Sequence, residues 1–234
     1  MLLDHDDYLP RYVLITEARR SDVKMADAFP LNPGSIVVMD RGYNDYELFR
    51  NWTAQEIYFV TRLKDNAAYA VERECAVPAN RNIRSDQLIR FTGEKAQKDC
   101  PCLLRRLAVW DAVNQREIVL LTNLLEFGST TIAAIYKDRW EIELFFKALK
   151  QNLKVKSFVG TSENALRIQI WTALIAILLL KWLHHLSKAK WSLSNLASML
   201  RLNLFTYRDL TAWLDNPFGT PPLLPDAQLS LGLA

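Results

Sequence analysis

The alternation of apolar and polar positions divides the chain into two rhythms. Ile36 to Met39 is an unbroken apolar run between Pro33-Gly34 and Gly42, the pattern of a strand buried on both faces. Before it, a strand is expected over about Tyr8 to Glu17 and a short helix over about Asp22 to Phe29, after the cap-like Ser21. After it come a helix from Asp45 to Trp52 and a strand from Ile57 to Arg62. From Lys64 to Glu117 the rhythm changes. Alternating stretches such as Tyr69-Ala-Val-Glu and Leu103 to Trp110, closed by the turn-like Asn114-Gln115, predict a β-rich insertion. Ile118 to Leu124 is a further apolar strand, and Ser129-Thr130 stand where the cap of a long amphipathic helix belongs. Two or more additional helices are expected between about Asn164 and Leu214. Beyond Asp215 the tail is rich in proline (Pro217, Pro221, Pro222, Pro225) and is expected to be mobile. No internal repeat is visible.

The apolar run Ile170 to Leu180, interrupted only by Thr172, is far short of the ~20 residues that span a bilayer. It reads as a buried helix, with Trp171, Ile175, Leu178 and Trp182 in the core. Nor does the acidic start Met-Leu-Leu-Asp-His-Asp-Asp resemble a signal peptide. The 234 residues are 50% hydrophobic and 24% charged, enough to bury a real core. A net charge of +3 does not by itself mark a nucleic-acid binder, but its distribution is uneven. Lys137 to Lys156 holds six basic and three acidic residues, and Ser187 to Arg208 holds four basic and none acidic. Such a basic half suits a phosphate chain, whose binding weakens steeply with salt. A solvated face is the equal alternative for the second stretch. Three cysteines, Cys75, Cys100 and Cys102, make no disulfide framework and suit a reducing compartment. Their spacing fits no standard zinc pattern, and no histidine is near in sequence. His184-His185 read as a helix-end pair.

The chemistry concentrates between Tyr136 and Lys150. On a continuous helix, Tyr136, Arg139, Glu143 and Lys150 share an arc of roughly 60° over about 21 Å. The apolar stripe of Ile135, Ile142, Phe145, Phe146 and Leu149 lies directly beside them. A carboxylate at the edge of a core is expensive unless paired or metal-bound. An ordinary ion pair between Arg139 and Glu143, one turn apart, accounts for the pattern as well. Asp40, at the carboxyl end of its strand, lies where open α/β sheets form their binding crevice. It also serves equally well as the cap of a turn into Gly42.

The spacing Tyr, two residues, Arg, three residues, Glu, six residues, Lys resembles the YREK signature of DDE transposases in insertion-sequence family 4. Ser35-Ile-Val-Val-Met-Asp40-Arg41-Gly42-Tyr43 resembles that family's strand ending in its second catalytic Asp. The resemblance covers roughly Met1 to Trp182. It implies an α/β, ribonuclease-H-like fold, incomplete at its amino-terminal end, with the β-rich insertion and carboxy-terminal helices. The divisions expected are residues 1–63 for the first part of the catalytic core and 64–117 for the insertion. The second part of the core takes 118–186, further helices 187–214, and the tail 215–234.

By the same resemblance, Asp40 and Glu143 are catalytic metal ligands, and Tyr136, Arg139, Lys150 and Arg41 hold DNA phosphates. The cofactor implied is Mg²⁺ or Mn²⁺, in a two-ion site that cleaves and transfers DNA strands. The family's first Asp belongs to an earlier strand than any in this chain, and Asp4, Asp6 and Asp7 align instead with a polar turn. The expectation is therefore a truncated transposase, inactive alone, with two of three ligands. Without that first strand the sheet should expose an unpaired edge, an aggregation liability. The partners implied are double-stranded transposon ends and a full-length transposase, in the bacterial cytoplasm beside the nucleoid, with no membrane. Two other readings stay open: a non-catalytic DNA-binding or inhibitory partner of a full-length transposase, and an α/β domain whose Asp and Glu are merely capped and salt-bridged.

Overall fold

In the computed structural model, the described residues are 1–16, 25–26, 29–79, 81–153, 160 and 162–219. They fall into two compact units, Met1–Ile142 and Glu143–Ala234. In the first unit a hairpin of β1 (Leu2–Leu3) and β2 (Pro10–Tyr12) precedes the main sheet. The main sheet contains β3 (Ile36–Val38), β4 (Tyr58–Arg62), β5 (Tyr69–Glu74), β6 (Ile83–Phe91), β7 (Leu104–Asp111) and β8 (Arg116–Thr122). Their spatial order is β3-β4-β8-β7-β6-β5. Only β3 and β4 run parallel; the remaining pairs are antiparallel.

This arrangement corrects the expected strand from Tyr8 to Glu17. Only Pro10–Tyr12 is strand, it pairs with β1 outside the main sheet, and residue 17 lies outside the described residues. Local polar bonds take the backbone instead: Asp6 N–H donates to Asp4 Oδ1 at 2.9 Å and Leu9 N–H to Asp7 Oδ1 at 2.8 Å. Side chains that bond nearby amides in this way compete with a ladder. The acidic turn expected between Leu3 and Tyr8 is thus present, and Arg11 closes it on Asp4. The expected helix from Asp22 to Phe29 lies largely outside the described residues, as does most of the proline-rich tail.

The β-rich stretch forms as expected, and its strands join the same sheet through β7 and β8, paired from Arg105↔Thr122 to Asp111↔Arg116. It also carries a short helix, α2 (Glu94–Asp99). Alternation along the strands separates two cores. On one face Phe59 stacks on Phe49 of α1 (Tyr46–Ala54), with ring centroids 4.4 Å apart, alongside Trp52, Phe91, Leu104 and Leu121. On the other face Val60, Leu107 and Leu120 pack with Ile132 and Tyr136 of α3 (Ser129–Lys137). Asp45 caps α1 by accepting from Leu48 N–H, close to the start expected from sequence.

Two buried polar groups tie this unit together. Asn123 accepts from Phe59 N–H at 2.8 Å and donates to Ile57 O at 3.0 Å. Arg105 and Asp86, 8% and 1% exposed, pair through two bonds of 2.8 and 2.6 Å. Arg105 also donates to the carbonyls of Leu125 and Phe127, fixing the loop that leads into α3.

The helix expected to run unbroken through Tyr136 and Lys150 is two helices, α3 and α4 (Trp140–Leu153). Between them Asp138 N–H donates to Ile135 O, Arg139 N–H to Tyr136 O and Glu141 N–H to Asp138 O, at 3.0–3.2 Å. Bonds of this three-residue span wind the chain by about 120° per residue instead of about 100°. The arc calculated for a continuous helix assumed a uniform twist, which these bonds interrupt. Nor do Ser129-Thr130 cap it: Gly128 occupies the cap without a side-chain bond, and Ser129 is buried in the first turn.

In the second unit α5 (Glu163–Leu186) starts at Ser162, whose hydroxyl accepts from Ala165 N–H. It is followed by α6 (Leu193–Leu202) and α7 (Leu210–Asp215). Leu196, Trp213 and Leu214 form a small core, with Trp191 5.5 Å from Trp213. The buried side of α5 is Ala173, Leu174 and Ile177. This overturns the expected core row: Trp171, Ile175 and Trp182 are exposed, and Leu178 is half-buried. At 24 residues, α5 is also longer than the apolar run read from the sequence, and is long and apolar enough to cross a membrane by length and composition.

Candidate nucleic-acid and metal site

In the first unit, the chain leaves β3 through Met39, whose N–H still donates to Val60 O, and then delivers Asp40. Asp40 Oδ1 accepts from Gly42 N–H at 3.0 Å and caps the single 3₁₀ turn Arg41–Tyr43. The turn-capping role is therefore real. It uses one oxygen; the other, Oδ2, lies 4.0 Å from the Arg139 guanidinium, and half of the side chain remains exposed. Gly42 does not have a left-handed φ, and a Cβ there would meet only Asp40 Oδ1, at an ordinary 3.6 Å.

Arg139 reaches Asp40 because the tight turn after α3 brings it round. Its guanidinium carbon also lies 5.8 Å from the centre of the Tyr136 ring. Tyr136 is buried, and burial raises its hydroxyl pKa, while the nearby positive charges of Arg139 and Arg62 oppose that rise. A neutral phenol beside two guanidiniums can donate to an anion without adding negative charge. Arg62 was not singled out from sequence. Its position at the carboxyl end of β4, beside the end of parallel β3, was the available signal. Asn44 braces this corner, donating to Arg62 O at 2.7 Å and accepting from Thr61 Oγ1 at 2.8 Å. Arg41 points elsewhere, to an exposed pair with Asp65 at 3.1 Å. His5 joins Asp138 at 3.0 Å beside the turn, and that bond raises the His5 pKa.

In the second unit, Glu143 and Lys150 are exposed on α4. Together with Phe146, Lys147 and Gln151 they line an open depression of about 500 Å³. Two lysines there give a surface suited to an anion. On the same helix Phe145 is buried but Phe146 is exposed, so the apolar stripe is narrower than expected.

The donor chemistry fits a hard divalent cation in part. Asp40 and Glu143 offer carboxylate oxygens, the preferred donors for Mg²⁺. Among the described residues no group of three or more His, Cys, Asp or Glu is arranged to hold a metal ion. The cysteines offer a poor alternative, because burial and the neighbouring Cys102 push the Cys100 thiol up to about 12.

The first unit is a mixed sheet that delivers Asp40 from a strand end, and sequence comparison assigns its family. Residues 1–179 match the Transposase DDE domain family, and the chain belongs to it. It is similar to a protein named as a transposase in Sinorhizobium fredii, 32% identical over 229 residues, which cover 96% of this chain and 63% of that relative. It is also 33% identical over 189 residues to a transposase named for insertion sequence element IS5377 of Geobacillus stearothermophilus, covering 80% of this chain and 49% of the relative. A third relative, named for element IS4SA of Synechocystis, is 31% identical over 151 residues, 63% of this chain and 41% of its own length. The chain thus spans about half the length of the relatives it matches.

Proposed function

We propose that this chain supplies part of a transposase site that cuts and joins DNA strands at the ends of an insertion sequence. The observation that carries the reading is the corner of the first unit, where Asp40 stands 4.0 Å from Arg139 beside a buried Tyr136, inside the region matched to the family. Asp40 and Glu143 would be two of the ligands of Mg²⁺ or Mn²⁺, which when bound neutralises charge at the scissile phosphate and activates the attacking oxygen. Arg139 and Lys150 would hold phosphates, Arg139 in bidentate fashion. Tyr136 would donate a hydrogen bond to a phosphate, and Arg41 would join once released from Asp65. The subtype implied by the spacing of these residues is insertion-sequence family 4. Its site of action would be the bacterial cytoplasm, on nucleoid DNA and away from membranes.

A second reading is a chain that binds DNA without cutting it, as a partner or inhibitor of a longer transposase. The test is nicking of supercoiled plasmid in Mg²⁺ or Mn²⁺, with Glu143→Gln as control, together with DNA binding across a salt series. No nicking, with binding that falls as salt rises, is expected. Nicking lost in the control would show that the chain completes its own site. Absence of any salt-dependent binding would overturn the DNA reading altogether.

A further inference from the structure

Arg62 reaches the Asp40 corner without a side-chain anchor. Its guanidinium is half-buried, and close enough to Tyr136 to oppose the rise in that hydroxyl's pKa. Among the described residues no hydrogen bond or ion pair holds this guanidinium. Its place is therefore set by the backbone that carries it.

That backbone lies where β3 stops and β4 continues. Successive residues of β4 face its two neighbours in turn. Tyr58 N–H donates to Ser35 O at 2.8 Å and Val60 O accepts from Met39 N–H at 3.1 Å, both on the β3 side. On the β8 side, Leu63 N–H donates to Val119 O at 2.9 Å. By the same alternation Arg62 O faces β3. The chain of β3 has by then turned away at Asp40 into the 3₁₀ turn. The side-chain amide of Asn44, the residue that closes the turn, meets Arg62 O instead. Its Nδ2 donates to Arg62 O at 2.7 Å, and its Oδ1 accepts at 2.8 Å from the hydroxyl of Thr61, which has no exposed surface. Asn44 O accepts from Lys64 Nζ at 3.0 Å, and Asn44 N–H donates to Arg41 O at 3.2 Å. One half-buried residue thus ties the turn capped by Asp40 to Thr61, Arg62 and Lys64. An asparagine amide offers the same donor and acceptor types as a peptide group, so Asn44 adds one rung to the ladder after the strand has left.

We propose that Asn44 is a positioning residue: by holding Arg62 O it sets where the Arg62 guanidinium stands against Asp40 and Tyr136, and so how that corner receives a phosphate. The identity of the phosphate as DNA rests on the transposase reading. The arrangement resolves a conflict of geometry. Asp40 has to leave the sheet for half of its side chain to stay exposed, whereas β4 has to run on to deliver Arg62. A backbone amide opposite Arg62 O would require β3 to run straight past Asp40, without the turn that Asp40 caps. A side chain reaching back from the far end of the turn keeps both the turn and the bond.

The test is a double-mutant cycle on the full chain, with Asn44→Ala, Arg62→Gln and the two combined. Two quantities are read: affinity for duplex DNA across a salt series, and the fluorine NMR spectrum of the chain labelled with meta-fluorotyrosine. The Tyr136 resonance is identified by its loss in Tyr136→Phe. Asn44→Ala alone is expected to move that resonance, to weaken DNA binding about threefold to tenfold and to lower the salt slope by up to about one. With Arg62 already replaced by Gln, it should change neither any further. Thermal melts fix a temperature at which every variant is folded. If Asn44→Ala does not fold, Thr61→Val, which takes away only the hydroxyl bonded to Asn44 Oδ1, should give the same pattern at smaller size. Effects of Asn44→Ala that simply add to those of Arg62→Gln overturn the proposal, since a general brace of the fold behaves in that way. An unmoved Tyr136 resonance overturns it as well. Absence of any salt-dependent DNA binding refutes the transposase reading, and the fluorine cycle then decides alone whether Asn44 places Arg62. An uncoupled fluorine cycle in a chain that does bind DNA refutes the role of Asn44 and leaves the transposase reading standing.

Discussion

The two units spend their apolar residues in opposite ways. In the first, large side chains such as Phe49, Phe59, Ile89, Leu104 and Leu121 are wholly buried between the sheet and its helices. In the second, the apolar content is as high but much of it faces outward. Ile168, Trp171, Ile175, Leu179, Trp182 and Leu186 form an exposed, uncharged row along α5. A sheet with helices on both faces covers the large side chains at its centre and leaves partial exposure to its margins, as at Tyr58 and Ile118. A lone long helix needs cover on one side only, and α5 finds it through Ala173, Leu174 and Ile177. Hydrophobic content therefore reports burial in the first unit and only the capacity for burial in the second.

Breaking the contrast is most direct in the first unit. Phe59→Ala should cost about 3–5 kcal/mol in chemical denaturation, through the lost stacking and the cavity left behind. Arg105→Ala should cost a similar ~3–5 kcal/mol by leaving Asp86 buried and unpaired, while Arg105→Met with Asp86→Leu together should recover most of it. At the site, Arg139→Gln and Lys150→Gln take one cation from each unit. Each should lower DNA affinity and reduce the salt slope by about one. A slope changed by only one of them would confine the DNA contact to that unit. A smaller effect is expected on raising the pH. The Cys100 thiol keeps its proton up to about 12, whereas an unfolded thiol loses it from about 9. Stability from this source is therefore complete below pH 9 and declines as pH rises towards 12, measurable in thermal melts against Cys100→Ala. The smallest change belongs to the second unit, where Trp171→Ser should shift stability by no more than about 0.5 kcal/mol.

Much of the first unit was legible because its signals are local. The apolar run into Asp40, the helix start near Asp45 and the alternation of β7 each report on neighbours a few residues away. The hairpin was misread because Asp4 and Asp7 redirect backbone bonds that hydrophobic patterning cannot register. The break at Asp138-Arg139 carries no Gly or Pro; only its bonds reveal it. The outward face of α5 was unreadable for a different reason: a helix apolar nearly all round gives no hint of which side is covered. At the site, Asp40, Arg139 and Tyr136 do come together. Arg62 joins them through strand pairing, which sequence spacing does not encode.

The pairing of Arg105 with Asp86 bears on how this domain can change over generations. Each residue is tolerable only in the presence of the other, so either one replaced alone strands a charge in the interior. The loss is comparable to a large part of the margin by which small domains remain folded. A lineage can exchange both together or keep both, but it has no easy intermediate step. The loop into α3 is held by the same guanidinium, so a change at that pair would also reach the approach to Tyr136 and Arg139, which it does not touch.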